Sequence, residues 1–267
     1  MNRKLVLLCN PGCPGDTNYV AHVPEILGRY KNYFQSPVGG FWKDDEILEM
    51  PAEYDDKAQI TWLALKIKEC NSPDVDYSIF VFVGHGGAFI NGEAIQLSKG
   101  QLAPINCLFP SPDTCSANEI KRTIIIDACR DYHPLIIPTI VTESRTFSGD
   151  GQIDGCYCRE IYNKAIDNCA PHCELLQSTS YGQYAQTTQR GSAFSDAFFG
   201  VLDLMVPVWN DFALGMPGGQ LTHSIADILP DITKGMKQYF QVPQYRVDPQ
   251  SDSFPLYAVW RSVTKIL

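Results

Sequence analysis

The chain has 267 residues, of which 45% are hydrophobic and 19% are charged, and its formal net charge at pH 7 is −9. This balance excludes a disordered, collagen-like or coiled-coil chain and allows a sizeable buried core. The acidic charge argues against nucleic acid as the main partner, because phosphate binding needs clustered Lys and Arg. No apolar run approaches the ~20 residues that span a bilayer, so we expect no membrane association.

The first apolar run, Leu5–Cys9 within the segment 4–9, is short and is followed by Asn10, Pro11 and Gly12. Two cations precede it, as in a secretory signal, but the run is too short for one and no small-residue cleavage site follows. We therefore predict a buried strand and a cytoplasmic protein. In that compartment the ten cysteines are expected to be thiols and not a disulfide framework.

Amphipathic stretches and short apolar runs alternate along the rest of the chain. Helical periodicity predicts helices over 20–34, 56–69, 159–168, 191–205 and part of 221–239. Strands are predicted over 76–83, 123–126, 173–178 and 254–260, with a hairpin and short helix within 88–118 and a long loop over 131–158. This alternation predicts an α/β fold, a mainly parallel sheet with helices on both faces, in one domain over residues 1–267.

Chemically active residues follow the two most apolar strands. His85 comes just after residues 76–83, and Cys129 comes just after 123–126. Because the carboxyl ends of parallel strands meet at one edge of a sheet, both side chains should emerge there. An imidazole can take the proton of a thiol and later protonate a leaving amine. The N–H groups of Gly86 and Cys129 would then form an oxyanion hole.

Together, the segments Ser78–Gly87 and Ile124–Arg130 resemble the caspase–metacaspase superfamily of cysteine peptidases. The His precedes the Cys by 44 residues, near the spacing of about 50 in a related caspase signature. The chain looks most similar to bacterial stand-alone caspase-like proteins. The resemblance implies a six-stranded caspase fold and peptide-bond hydrolysis through a thioester, with Cys129 as the nucleophile and His85 as the general acid and base.

Asp127 matches the family position that lines the S1 pocket. Metacaspases, which cut after Arg or Lys, carry Asp there, whereas true caspases carry Gln and cut after Asp. Coulomb attraction leads to the same hypothesis, because a carboxylate in S1 prefers a cationic P1 side chain. Metacaspases often have a second acidic S1 residue, for which Asp16 and Glu25 are the nearby candidates. Ser178 and Ser180 follow a predicted strand and are expected to pair with the substrate backbone.

Simpler interpretations stay open at this point. His85 could be structural, Cys129 a core thiol and Asp127 a loop cap, which would make the chain an inactive caspase-fold regulatory or binding protein. Another Cys-dependent hydrolase or acyltransferase is a further alternative. We expect a protein or peptide substrate, and the sequence leaves the oligomeric state open.

No cofactor or metal is expected. Calcium activation is a further possibility, because some metacaspases use that ion and Gly149–Gly151 with Asp154 could bind it. This segment nevertheless lacks the ligand density of an EF-hand, and an ordinary turn is the simpler interpretation. Structural zinc is the less favoured interpretation of a Cys/His-rich stretch formed by Cys156, Cys158, Cys169, His172 and Cys173. For an enzyme that prefers basic P1 residues, Arg145 and Arg159 are possible self-cleavage sites.

Overall fold

The computed structural model of the chain describes residues 1–17, 19–51, 56–89, 92–97, 102–109, 120–128, 153–188, 191–216, 219–247 and 251–260. The strands are β1 (Arg3–Asn10), β2 (Ile47–Glu49), β3 (Tyr77–Gly84), β4 (Gly86–Phe89), β5 (Gly92–Gln96), β6 (Leu102–Pro104), β7 (Arg122–Ala128), β8 (Cys173–Gln177), β9 (Thr187–Thr188), β10 (Gly191–Ser192), β11 (Gln220–Ser224), β12 (Gln244–Arg246) and β13 (Pro255–Trp260). The helices are α1 (Val23–Gln35), α2 (Asp56–Cys70), α3 (Gly155–Asn168), α4 (Ala193–Gly215) and α5 (Ile225–Met236), with short 3-10 turns at Asp44–Glu46, Ile105–Leu108 and Lys237–Tyr239.

A six-stranded sheet with the order β12-β8-β7-β3-β1-β2 forms the centre of the fold. Every neighbouring pair is parallel except β12 with β8, which is antiparallel. Strands β3 and β7 lie in the middle of the sheet and are almost wholly buried, as the apolar runs Ile79–Val83 and Ile124–Ile126 at their centres require. The predicted mainly parallel sheet is therefore confirmed.

Successive side chains of each central strand enter different apolar layers, because strand side chains alternate between the two faces of a sheet. Ile125 belongs to the layer built with α1, α3 and α4. Its neighbours Ile124 and Ile126 belong to the other layer, which includes Leu63 of α2 and Ile95 of β5. Helices thus cover both faces of the sheet, as predicted.

The carboxyl-terminal third differs in part from the sequence prediction. The helix predicted within 221–239 is present as α5, but strand β11 directly before it was not predicted. The predicted last strand exists as β13, but it pairs with β11 in a separate two-stranded sheet. The sixth strand of the main sheet is β12, which has only three residues and carries no apolar run that would have revealed it.

Helix α4 ends ten residues beyond the predicted helix over 191–205 and runs through Pro207. Pro207 is exposed, and the helix continues beyond it because Trp209 and Ala213 bury their side chains in the core. Tyr257 also donates a hydrogen bond to Asn210 at 2.9 Å. By length and composition α4 could cross a membrane, and 44% of its most apolar window is buried inside the protein.

Helix α3 begins at Gly155, within the predicted loop over 131–158. Its start is fixed by Asp154, whose carboxylate accepts hydrogen bonds from the N–H groups of Cys156 and Tyr157 at 2.9 and 3.3 Å. A short acidic side chain at this position satisfies amides that the helix leaves unpaired. Asp154 is therefore a helix cap, and the neighbouring Gly149–Gly151 lies outside the described residues.

Candidate active site

The carboxyl ends of β3 and β7 form the candidate site. The two strands are parallel neighbours, and Gly84 is paired with Ala128 at the end of their shared ladder. His85 and Cys129 are the residues that follow this last pair. The expected meeting of the two strand ends at one edge is therefore observed, whereas Cys129 itself lies outside the described residues.

His85 is held through its backbone. Its N–H donates to the carbonyl oxygen of Asn10 at 3.3 Å, and its C=O accepts from the N–H of Gln96 at 2.8 Å. The Nε2 atom of its ring is buried and has no hydrogen-bond partner among the described residues. A buried ring nitrogen without a partner is costly, so its presence at a strand end points to a functional role.

Gly86 follows His85 and opens the β4–β5 hairpin, where it stands opposite Ile95. In an antiparallel ladder, pairs that exchange hydrogen bonds alternate with pairs that do not. The bond from Gln96 N–H to His85 C=O makes His85 part of a bonded pair. Gly86 is therefore at a non-bonded position, and its N–H is not used by β5.

Asp127 is 2% exposed and bonds to the start of α4. Its Oδ2 accepts a short hydrogen bond from the hydroxyl of Ser192. Ser192 is the N-cap of α4, and its Oγ also accepts from the N–H of Ser195 at 2.9 Å. The other carboxylate oxygen, Oδ1, is buried with no partner among the described residues.

Burial raises the pKa of Asp127 from its ordinary value of 3.8 to about 7. The hydroxyls of Ser192 and Ser178 lower this pKa, and the negative charge of Asp196 raises it further. A cation placed beside Asp127 would favour its ionised form.

The sequence model of the caspase domain family matches the chain over residues 51–254. The chain belongs to the caspase domain family. Its members are cysteine peptidases. The crystal structure of caspase-1 from Spodoptera frugiperda is similar in fold, with a TM-score of 0.52, 14% sequence identity and coverage of 92% of this chain and 86% of that chain. No curated protein matches the chain.

The match confirms the superfamily that the two strand-end motifs indicated. At 14% identity the structural likeness supports the caspase-like fold and says nothing of individual residues. The roles of His85, Cys129 and their neighbours therefore depend on the geometry of this chain.

Neither acidic candidate for a second S1 residue contacts Asp127 in the described part of the caspase domain. Asp16 is exposed in the loop after β1. Glu25 lies in the first turn of α1 with its side chain 69% exposed, 3.4 Å from the Nδ1 atom of His22. The carboxylate whose charge does reach Asp127 is that of Asp196, in the first turn of α4.

Asp196 and Ser192 are site residues that were not predicted from the sequence. Ser192 could have been found, because a Ser at the start of a predicted helix is a capping signal. Asp196 gave no such signal, since its neighbour Asp127 lies on a distant strand. Asp196 also accepts a hydrogen bond from Thr188 at 2.7 Å and lies 3.4 Å from a guanidinium nitrogen of Arg29.

Ser178 is buried and bonds within the caspase domain. Its hydroxyl donates to the carbonyl oxygen of Ala128 at 3.1 Å and accepts from the N–H of that residue at 3.2 Å. Its N–H donates to Ile126, and its C=O accepts from Gln241. In this structure Ser178 therefore fixes the residue before Cys129 and has no backbone group left for a substrate.

Ser180 is partly exposed, and its hydroxyl also bonds to other residues of the chain. It donates to the carbonyl oxygen of Val242 at 3.0 Å and accepts from the side chain of Gln244 at 2.8 Å. Its N–H donates to the side-chain oxygen of Gln183 at 3.2 Å. Ser180 thus ties the loop after β8 to the segment before β12, and its pairing with substrate stays a prediction.

In the described structure, the side chains of the Cys/His-rich stretch are not grouped as metal ligands. Among the described residues, no group of three or more Cys, His, Asp or Glu side chains could hold a metal ion. The ring of His172 stacks on Phe254 at 4.1 Å, and its Nδ1 atom lies 2.8 Å from the carbonyl oxygen of Ala170. These contacts account for His172 as a core residue.

Arg159 does not fit the self-cleavage hypothesis. It lies inside α3, and its guanidinium donates to both carboxylate oxygens of Glu46 at 2.6 Å and to the carbonyl oxygen of Phe41 at 2.8 Å. A protease needs an extended, accessible segment, which a paired residue within a helix does not offer. Arg145, the other candidate, lies outside the described residues.

Proposed function

We propose that the chain is a cysteine endopeptidase in which Cys129 is the nucleophile and His85 the general acid and base. The observation that carries this proposal is the register of the two central strands. It pairs Gly84 with Ala128, so that the next residues of two parallel neighbours are His85 and Cys129. Neighbouring strands lie about 4.8 Å apart, which is within side-chain reach.

The alternation of side chains also favours this pairing. Val83 of β3 belongs to the apolar layer that contains α1 and α4, and the side chain of Asp127 bonds to the start of α4 on the same side of the sheet. His85 and Cys129 each follow these residues by two positions, and we propose that they meet at this edge of the sheet. The Nε2 atom of His85, which has no hydrogen-bond partner among the described residues, is then available for the thiol.

The chemistry follows from these positions. His85 takes the thiol proton as the sulfur of Cys129 attacks the carbonyl carbon of the substrate, and the resulting oxyanion accepts hydrogen bonds from the N–H groups of Gly86 and Cys129. The C–N bond breaks as His85 donates the proton to the leaving amine, which leaves a thioester. Water, deprotonated by His85, then hydrolyses the thioester and restores the thiol.

Cleavage after Arg or Lys is part of the proposal. Asp127 supports it because one of its carboxylate oxygens is buried and unbonded among the described residues. A P1 guanidinium or ammonium group would supply the missing donor and would favour the ionised carboxylate. Asp196 adds negative charge nearby, although Arg29 compensates part of it.

A peptide that ends in Arg and carries a thiol-reactive group tests the catalytic assignment. We expect it to label the wild-type chain at Cys129, to give no labelling at that position in Cys129→Ala, and to label His85→Ala more slowly. Cys156→Ala removes an exposed thiol of α3 and is the matched control, which should be labelled like the wild type. Equal labelling of His85→Ala and the wild type would contradict the dyad and favour an inactive caspase-fold protein.

A peptide library with varied P1 residues tests the specificity. We expect Arg and Lys at P1 for the wild type and loss of that preference in Asp127→Asn. A preference for Asp or an apolar residue would refute this part of the proposal. Running the library in EDTA and in added calcium tests the further proposals that hydrolysis needs no cofactor and that calcium only activates it.

A further inference from the structure

Asn10 ends β1 at the same edge of the sheet as His85, and it is 3% exposed. Its side-chain Nδ2 donates to the carbonyl oxygens of Gln96 and Leu97 at 2.8 and 3.2 Å. Its Oδ1 accepts from the N–H of Gly12 at 3.0 Å. The amide of Asn10 is therefore fully engaged, although neither the peptide chemistry nor the P1 pocket described above uses it.

The bonds of Asn10 form a closed ring around the backbone of His85. The N–H of His85 donates to the carbonyl oxygen of Asn10, and its C=O accepts from the N–H of Gln96. The carbonyl oxygen of Gln96 accepts in turn from the side chain of Asn10. The N–H of His85 is thus held by Asn10 itself, and its C=O is held by Gln96, to which the side chain of Asn10 is bonded.

Gly84 allows this ring to close. It has a φ of +144°, and a Cβ atom there would lie 2.2 Å from the carbonyl oxygen of Asn10. Only glycine permits so close an approach of the two strand ends in this conformation. The close approach brings the carbonyl oxygen of Asn10 within reach of the N–H of His85.

We propose that Asn10 is a positioning residue for the general base, which it holds in place through the backbone of His85 and through Gln96. This inference rests on the proposed function, in which His85 exchanges protons with Cys129. The position requires a side chain that donates to two carbonyl oxygens and accepts from Gly12 N–H, which an amide does with its two ends. An Asp carboxylate at this position would place an oxygen, which can only accept, against the carbonyl oxygens of Gln96 and Leu97.

The experiment measures kcat and KM of Asn10→Ala and Asn10→Asp between pH 5 and 8, with a peptide amide that carries Arg at P1. We expect kcat of Asn10→Ala to fall roughly 10- to 100-fold at every pH, with KM changed less than about threefold, because misplacement of a catalytic group reduces the rate more than binding. Asn10→Asp should recover activity relative to the wild type as the pH falls, because a protonated carboxyl can donate to Gln96 or Leu97. Burial and the carbonyl oxygens should raise the pKa of the introduced group.

Asn2 provides the matched control at the opposite end of the same strand. Its Nδ2 also donates to a carbonyl oxygen, that of Asp74, at 2.6 Å. Asn2→Ala removes a similar bond far from His85, and we expect its kcat and pH profile to match the wild type.

Three results would overturn the inference. The first is kcat within about twofold of the wild type in both folded Asn10 variants, and the second is an equal loss in both at every pH, without recovery of Asn10→Asp in acid. The third is failure of both variants to fold, which would make Asn10 a residue of the fold as a whole. Two measurements separate the two proposals. An inactive wild type would refute the proposed function. Unchanged NMR signals of the His85 ring in Asn10→Ala would refute the positioning role.

Discussion

Replacing Asp127 by Asn should change the pH dependence of stability in a calculable way. The folded chain holds the pKa of this carboxyl at about 7, against an ordinary value of 3.8. The folded state therefore binds the proton more tightly than the unfolded chain does, and the ionised carboxylate reduces stability as the pH rises through this interval. An Asn side chain does not titrate, so the variant lacks this loss.

The size of the effect follows from the two pKa values. Each tenfold change in proton affinity corresponds to about 1.4 kcal/mol, so the ionised carboxylate destabilises the fold by about 4 kcal/mol at pH 8 and by about 2 kcal/mol at pH 5. The difference in unfolding free energy between Asp127→Asn and the wild type should thus move by about 2 to 3 kcal/mol in favour of the variant between pH 5 and 8. An unpaired amide N–H in the variant costs about 1 to 3 kcal/mol, but this offset is the same at every pH.

Denaturant unfolding at pH 5, 6, 7 and 8 measures this difference. Titration of groups that do not interact with Asp127 cancels between variant and wild type. Asp45→Asn, the same substitution at an exposed position, is the control for effects of the replacement itself. A difference between Asp127→Asn and the wild type that stays constant within about 1 kcal/mol from pH 5 to 8 would refute the burial argument.

Three more outcomes are expected. Glu46→Gln should lower the free energy of unfolding by about 3 to 5 kcal/mol in denaturant melts at pH 7, because it leaves the buried Arg3 and the half-buried Arg159 without their carboxylate. Burial raises the pKa of Glu46, but hydrogen bonds from Arg159 and Arg3 outweigh it and lower the pKa to about 2, so this contribution should persist down to acid pH and be lost as the pH falls through that value. Gly84→Ala should lower both the melting temperature and kcat, since its methyl group meets the carbonyl oxygen of Asn10; a folded variant with wild-type kcat would contradict the close-approach argument. Intact mass after incubation should show no fragment that begins at Glu160, because Arg159 is held within α3, and the appearance of such a fragment in the wild type but not in Cys129→Ala would show that this helix opens.

The sequence predicted the central strands well because their signal is local. Ile79–Val83 and Ile124–Ile126 are continuous apolar runs that can be stable only when both faces of the strand are covered. Their flanking residues, His85 and Cys129, then fall at one sheet edge by topology alone. The caspase-like superfamily could therefore be predicted from the sequence.

The strand at the sheet edge shows where local reasoning failed. Residues 254–260 carry the apolar pattern of a central strand, yet β13 leaves the main sheet to pair with β11. The polar three-residue β12 takes the edge position instead. A short strand at the edge of a sheet pairs on one side only, and the residues of β12 are partly or fully exposed. Its sequence therefore carries no apolar run by which it could be predicted.

The sequence by itself determined which strands are buried, which residues follow them and which chemistry those residues suit. Tertiary structure alone decided what surrounds them: Ser192 and Asp196 beside Asp127, and the ring that Asn10 closes around His85. The physical reason is distance along the chain. Apolar periodicity acts between near neighbours, whereas a hydrogen bond between Asn10 and Gln96 exists only after the strands that carry them have been brought together.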